Sequence, residues 1–263
     1  MHVISANLNG IRAALKKGFA DWLHTQNPDV VLLQELKADP DVMAQVVKAH
    51  PELVRGYHYY WHPAEKKGYS GVGILSKLEP TAVHIGCDNP IYDAEGRVLR
   101  IEHPSGWQFC SLYLPSGSQG DERQVVKEAF MAYFKEWIAQ QPGWDQQLII
   151  GGDFNICHQA IDIHDPVRLK NSSGFLPHER EWFSELLAQG FTDSFRHLHP
   201  HLPDQYTWWS YRGQAKARNK GWRLDYHLVP TAHRGLIEAH AIHTELAFSD
   251  HVPISLHIAD RAV

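Results

Sequence analysis

Carboxylates, amides, one tyrosine and one histidine stand in this chain where apolar runs stop. Asn7 follows His2-Val-Ile-Ser-Ala, Gln34-Glu35 follows Asp29-Val-Val-Leu-Leu, and Tyr113 lies near the end of Phe109 to Leu114. Asp153-Phe-Asn155 follows Leu148-Ile-Ile-Gly-Gly, Asp225 lies within Trp222-Arg-Leu-Asp-Tyr226, and Ser249-Asp-His251 precedes a last apolar run. Taken singly, an Asp or Asn after a strand is a turn or cap residue more often than a catalyst. Taken together, the set has a chemical meaning. Glu35 and Asp250, with Asn7 as a neutral oxygen donor, supply the hard ligands that magnesium or manganese takes, with waters and a substrate phosphate completing the shell. Asp153 and Asn155, two apart on an extended backbone, project to one side, so one can orient or deprotonate a water while the other holds it or a phosphate oxygen. His251 paired with Asp225 is a hydrogen-bond donor to phosphate with its tautomer set by the carboxylate. That is the inventory for metal-assisted hydrolysis of a phosphodiester.

The elements that must position these groups alternate along the chain. His2 to Asn7 reads as a strand, and Ile11, Leu15, Phe19, Trp22 and Leu23 recur at helical spacing until Pro28. The run from Asp29 to Gln34 is continuously apolar, as in strands covered on both faces. Asp39-Pro40 opens a second helix with an N-cap and a first-turn proline. Tyr57 to Trp61, Gly71 to Ser76, Thr81 to Ile85, Arg97 to Glu102 and Trp107 to Leu114 read as strands between Gly, Pro, Asn and Asp punctuation. A helix from about Asp121 carries Val126, Phe130, Phe134, Trp137 and Ile138; strand returns at Gln147 to Asp153, and a helix follows from Pro177 to Gln189, closed by Gly190. Strands at Arg223 to Val229, Glu238 to His243 and Pro253 to Ile258 end the chain. No linker separates the two halves, so residues 1–263 are expected to form one domain, with sheets packed face to face and helices outside.

Composition narrows the class further. In 263 residues, 43% are hydrophobic and only three are Cys, without CxxC spacing, so a globular core is expected, while a disulfide framework or thiolate zinc site is not. The apolar runs are too short to cross a membrane and the first residues read as strand, so a cytoplasmic protein is expected. A formal net charge of −5 argues against coating nucleic acid through bulk charge, without excluding a local basic groove.

The blocks Asn7-Leu-Asn-Gly-Ile-Arg12, Leu33-Gln-Glu-Leu-Lys37, Tyr69-Ser-Gly-Val72, Leu112-Tyr-Leu-Pro-Ser-Gly117, Gly152-Asp-Phe-Asn155, Gly174-Phe-Leu-Pro-His-Glu-Arg180, Trp222-Arg-Leu-Asp-Tyr226 and Ser249-Asp-His-Val-Pro253 resemble, in order, the exonuclease III family of apurinic/apyrimidinic endonucleases. The resemblance covers essentially the whole chain. It implies a four-layer α/β sandwich, two packed mixed β-sheets flanked by helices, and a magnesium-dependent DNA repair phosphodiesterase of base excision repair. Such an enzyme cuts the backbone 5′ to abasic sites and has 3′-phosphodiesterase or 3′-5′ exonuclease activity. Its partner is double-stranded DNA with abasic sites or blocked 3′ ends, and it acts as a monomer. The resemblance assigns Asn7, Glu35 and Asp250 to the metal and Asp153, Asn155, Tyr113, Asp225 and His251 to catalysis, with Lys37 beside Glu35. Trp208, Trp222 and Leu224 would wall the pocket for a flipped-out baseless sugar.

Cations Arg212, Lys216, Arg218, Lys220 and Arg223 interleave with aromatic residues, a pattern suited to phosphates beside that pocket, whereas Trp209 reads as core. Arg12, Lys16, Lys17, Lys66 and Lys67 extend the expected groove. Leu169 and Ser172 depart from the family, whose members usually have Asn there, and Gly174 leaves room beside the pocket. Two rival readings are a phosphatase of the same superfamily and a non-catalytic nucleic-acid-binding regulator of the same fold. The basic stretch before Trp222 argues against the first, and Glu35, Asp153 and Asp250 argue against the second.

Overall fold

A computed structural model describes residues 1–260 of the protein. Twelve strands among the described residues, numbered in chain order, are β1 (His2–Asn7), β2 (Val30–Gln34), β3 (His58–His62), β4 (Val72–Ser76), β5 (Ala82–Ile85), β6 (Val98–Glu102), β7 (Gln108–Tyr113), β8 (Leu148–Asp153), β9 (Phe191–Asp193), β10 (Asp225–Pro230), β11 (Ile237–Ile242) and β12 (Ile254–Ile258). They form two six-stranded sheets, ordered β11-β12-β1-β2-β4-β3 and β5-β6-β7-β8-β10-β9. Both are mixed: β1 runs parallel to β2, and β7 parallel to β8, among antiparallel neighbours.

Side-chain alternation in β2 explains the layering. Val30 and Leu32 face the second sheet, in a core layer with Phe109, Ile149 and Val229. Val31 and Leu33 face the opposite way, under helices Ile11–Lys16, Phe19–Gln26 and Pro40–Ala49. A strand covered on both faces must be apolar at every position, which is why this run shows no polar alternation. Helices Asp121–Ile138 and Pro177–Ala188 cover the outer face of the second sheet through Phe130, Phe134, Trp182 and Phe183. Four layers result, as the resemblance implied.

Local departures from the expected elements have physical causes. The expected helix from Ile11 to Pro28 is two helices, because Gly18 adopts φ 88°, a left-handed conformation that only glycine takes at little cost. The strand expected from Arg223 to Val229 runs instead from Asp225 to Pro230, and the short β9 with its following helix, Ser194–Leu198, lacks any hydrophobic period long enough to announce it.

Registers bring the strand ends together. Asn7 lies opposite Gln34 in the first sheet, and Asp153 lies opposite Tyr113 on one side and Asp225 on the other in the second. Below this edge a buried polar link joins the sheets: Gln34 Nε2 donates to Ser111 Oγ at 3.0 Å, and Ser111 Oγ donates to the Leu33 carbonyl at 2.9 Å. The link pins the two sheet edges at a fixed separation, on which a site built across both depends.

Candidate active site

Asp153 is the hub. One of its oxygens, Oδ2, accepts from Asn7 Nδ2 at 2.9 Å across the sheets and from Asn155 Nδ2 at 3.3 Å, while Oδ1 accepts the Asn155 N–H at 2.8 Å. Asn155 is not on extended backbone as its two-residue spacing suggested. It sits at φ 49°, and the turn, not strand alternation, brings its amide back to Asp153. Its side chain also donates to the Leu114 carbonyl at 2.8 Å, which ties it to the end of β7.

His251 stands between two carboxylates. Nδ1 donates to Asp225 Oδ2 at 2.8 Å, and Nε2 lies 3.6 Å from Asp153 Oδ2. These three side chains are 5%, 3% and 1% exposed in the order His251, Asp225, Asp153, so their charges interact with little screening. Burial disfavours the imidazolium, but Asp225 and Asp153 outweigh it and hold His251 up at about 10. Burial also pushes Asp153 up, against the His251 cation and with help from Asp225, to about 7. A cationic donor therefore lies beside a carboxyl that can take or give a proton near neutrality. The ligand atoms of all three lie within 4.8 Å of one another. The imidazole is hydrogen-bonded to Asp225 and faces Asp153, an arrangement that can pass charge between the two carboxylates.

Asp250 and Glu35 make a second, oxygen-rich corner of the same cleft. Asp250 Oδ2 accepts from Trp208 Nε1 at 3.0 Å, and Oδ1 accepts from Asn9 Nδ2 at 2.8 Å and Ser249 Oγ at 3.1 Å. Burial would raise its carboxyl, but the His251 cation and these donors keep it below the usual range. Glu35 sits at φ 52° just past β2, and its carbonyl accepts the Gly10 N–H at 2.8 Å, which lashes the loop after β1 to the loop after β2. Lys37 Nζ pairs with Glu35 Oε1 at 3.0 Å and also reaches Asn9 Oδ1. Asn9 bridges the two carboxylates, through Nδ2 to Asp250 and through Oδ1 to the Lys37 that pairs with Glu35, and such oxygen donors are the kind a hard divalent cation takes. Asn7 is buried, its Nδ2 donates to Asp153, and its Oδ1 accepts the Asn9 N–H at 3.0 Å, which leaves one lone pair of that oxygen for the cation that the resemblance assigns to it.

The cleft has a volume of about 840 Å³, and Glu35, Tyr113, Asp153, Asn155, Asp250 and His251 line it together with Trp208, Trp222 and Leu224. Trp208 and Trp222 meet edge to face with centroids 6.2 Å apart, and both pack with Leu169 against the Phe175 and Leu224 cluster. Leu169 thus contributes to the apolar wall, while Asn171 and Ser172 line the cleft itself. Gly174 has φ 92°, and a Cβ there would come within 3.1 Å of the Asn155 carbonyl and 3.2 Å of Trp222 Cζ3. Any side chain would press on the wall. Trp209, as expected, is core, packed with Tyr206 and Val252.

The basic stretch needs correction. Arg223 is buried, with Nε on Asp162 Oδ1 at 2.8 Å and Nη2 on Asp193 Oδ2 at 2.7 Å, so it is committed to an internal ion network and not to a groove. Lys216 lies over the Trp209 ring. Arg212 is exposed on the turn Arg212–Gln214 and does not line the cleft.

Supporting groups escaped the sequence reading. Lys127 and Glu179 form a fully buried pair at 2.6 Å; Lys127 also donates to the Asn155 carbonyl at 2.9 Å, and Glu179 accepts the Gly174 N–H at 2.7 Å. Removing either partner would strand a buried charge, at a cost of about 3–5 kcal/mol. The one available signal was a lysine three and seven residues before Phe130 and Phe134, on the buried stripe of its helix. Arg97 is similarly hidden: it lies 4.8 Å from the Tyr113 ring centroid and donates to the Tyr113 carbonyl at 3.0 Å.

Comparison with known proteins agrees with this geometry. An exodeoxyribonuclease of Bacillus subtilis (strain 168) is 39% identical over 97% of this chain and 98% of that protein. The DNA repair nuclease APEX1 of Danio rerio is 38% identical over 98% of this chain and 82% of its own length. Among solved structures, a 3′-5′ exonuclease from Neisseria meningitidis superposes with a TM-score of 0.87 at 29% identity, covering 98% of this chain and 99% of that one. An AP endonuclease from Archaeoglobus fulgidus gives a TM-score of 0.87 at 26% identity, with the same coverage of both chains. Since the endonuclease/exonuclease/phosphatase family matches residues 4–251, and these relatives match nearly end to end, the chain belongs to that family, among its AP endonucleases and exodeoxyribonucleases.

Proposed function

We propose that this protein hydrolyses the DNA backbone 5′ to abasic sites and also clears blocked 3′ ends, with magnesium as its cofactor and manganese able to substitute. The observation that carries the reading is the Asp225–His251–Asp153 relay opening into a cleft walled by Trp208, Trp222 and Leu224. Asp153 is suited to orient a water and accept its proton, because its carboxyl titrates near neutrality and Asn7 and Asn155 fix its oxygens. His251, kept cationic by Asp225, donates to a phosphate oxygen and stabilises the charge that builds there. Tyr113 lines the cleft beside Asp153 and adds an uncharged donor for the same phosphate, while Asn155, whose amide hydrogens go to Asp153 and to the Leu114 carbonyl, holds Asp153 in place. Burial, aided by Glu35, keeps the Tyr113 hydroxyl protonated well above neutrality, with Arg97 opposing only in part. Glu35 and Asp250 would hold the divalent ion, which supplies Lewis-acid stabilisation of the leaving oxygen. Lys37 would keep Glu35 oriented.

Damage is selected by shape in this reading. A baseless sugar leaves the stack more easily than a paired nucleotide and fits between apolar walls that an intact base would overfill. The apolar layer between the sheets draws side chains from both halves of the chain, which supports reading it as one domain. All three cysteines are free and buried, in keeping with a reducing, cytoplasmic setting. No helix among the described residues is long and apolar enough to cross a membrane.

Three duplexes test the proposal: one with an abasic site, one with a 3′-phosphate and one with an undamaged recessed end, each with magnesium and with excess chelator. Magnesium-dependent cleavage at the abasic site is the expected result. DNA binding without hydrolysis on any duplex would refute it in favour of a binding regulator, and hydrolysis confined to small phosphate esters would favour a phosphatase.

A further inference from the structure

Thr207 takes no part in the chemistry above, yet it is fully buried and precedes the pocket wall Trp208. Its backbone already joins two other segments of the site: the N–H donates to the Trp222 carbonyl at 2.9 Å, and the carbonyl accepts the Val252 N–H at 2.8 Å. The hydroxyl adds something a backbone cannot. Oγ1 accepts the N–H of Leu224 at 2.9 Å and the N–H of Asp225 at 3.1 Å, using both lone pairs on consecutive amides.

Those amides have no strand to turn to. β8 flanks the start of β10 on one side, but β9, on the other, pairs only with Leu228, Val229 and Pro230. Left without a partner, each buried N–H would be destabilising. The Asp225 carboxylate, moreover, has little support of its own. Oδ2 accepts a hydrogen bond from His251 Nδ1, and Oδ1 is buried with no hydrogen-bond partner among the described residues. Its place is therefore set by its backbone, which is held on one side by β8, where the Leu224 carbonyl accepts the Phe154 N–H at 2.9 Å, and on the other by the Thr207 hydroxyl.

We propose that Thr207 is a positioning residue for the Asp225–His251 pair, acting through the two amides its hydroxyl accepts. The proposal rests on the reading of that pair as catalytic. A displacement of Asp225 carries His251 with it, and misplacement of about 1 Å can cost on the order of 100-fold in rate.

Two variants separate hydroxyl from bulk. Thr207→Val keeps the shape and removes the acceptor; Thr207→Ser keeps the acceptor and removes a methyl. For Thr207→Val, kcat on the abasic duplex should fall roughly 10- to 100-fold with KM within about threefold. The Leu224 and Asp225 amides should lose hydrogen-exchange protection, and the downfield Nδ1 proton resonance of His251 should shift or broaden. Thr207→Ser should restore all three readouts. A space-filling role predicts the opposite order, with Val near parental and Ser impaired, and that outcome overturns the proposal. Should Thr207→Val not fold, Thr207→Ala against Thr207→Ser gives the same comparison: both impaired alike overturns it, Ser alone restored supports it. If the parent protein does not cleave abasic DNA, the functional reading fails, while exchange and the His251 resonance still decide for or against Thr207.

Discussion

Acidification from pH 7 to pH 5 should weaken the fold through two histidines that the site never uses. His227 on β10 and His240 on β11 are buried side by side, with Nδ1 of His227 and Nε2 of His240 3.3 Å apart. Their other ring nitrogens have no hydrogen-bond partner among the described residues. Burial, with His2 nearby, pushes His227 down to about 3, and burial with His227 and Arg223 as neighbours holds His240 well below the usual range. In the unfolded chain each would titrate at about 6.5. Both are therefore neutral when folded and protonated when unfolded at pH 5, so the unfolded state binds more protons. Their stabilising contribution is complete above about pH 6.5 and is lost as pH falls toward the folded values. Between pH 7 and pH 5 the loss is about 2 kcal/mol per histidine and about 4 kcal/mol for the pair, a large share of a typical 5–15 kcal/mol. Asp153, raised to about 7, works in the opposite sense: the folded protein takes up a proton there that the unfolded chain does not, which adds stability as pH falls. The comparison must therefore be made between the parent and the double variant His227→Leu with His240→Leu. That variant removes both bonding partners together and so leaves no new orphan. Urea unfolding at both pH values should show the variant gaining about 4 kcal/mol on the parent at the lower pH. Parallel pH dependence in the two proteins would refute the argument.

Three further outcomes concern the chemistry. Asp153→Asn keeps the shape and removes the charge, so turnover on an abasic duplex should drop roughly 100-fold or more while DNA binding survives; turnover within a few-fold of the parent would leave Asp153 a turn residue. Glu35→Ala should raise the magnesium needed for half-maximal rate, with part of the loss recovered at high magnesium, and full parental activity in excess chelator after metal-free purification would remove both carboxylates from that role. Trp222→Ala should lower selectivity for abasic over intact duplex, by about 1–3 kcal/mol if the ring packs on the sugar; unchanged selectivity with a lower melting temperature would make Trp222 a packing residue only.

Why the candidate site was legible while its supports were not follows from the range of the forces involved. Asn7, Glu35, Tyr113 and Asp153 sit where an apolar run ends and Asp250 just before one begins, a local feature; parallel pairing at the centre of each sheet and the antiparallel pairing of β12 with β1 then carry these positions to one edge. The same local reading failed for Arg223. Its neighbours suggested a basic stretch, but its charge is balanced by Asp162 and Asp193, 61 and 30 residues away in sequence. Burial for such a residue is decided by the topology, which no window around it contains. Asn155 shows a subtler failure: the alignment with Asp153 was right for the wrong reason, since a left-handed turn achieves what strand alternation was expected to do. Thr207 and Lys127 belong to the same class, a hydroxyl and an ammonium whose partners lie 17 to 52 residues away. Chemistry performed at strand ends is thus written locally, whereas the hydrogen bonds that hold those ends still are written in pairs of residues that only the folded chain brings together.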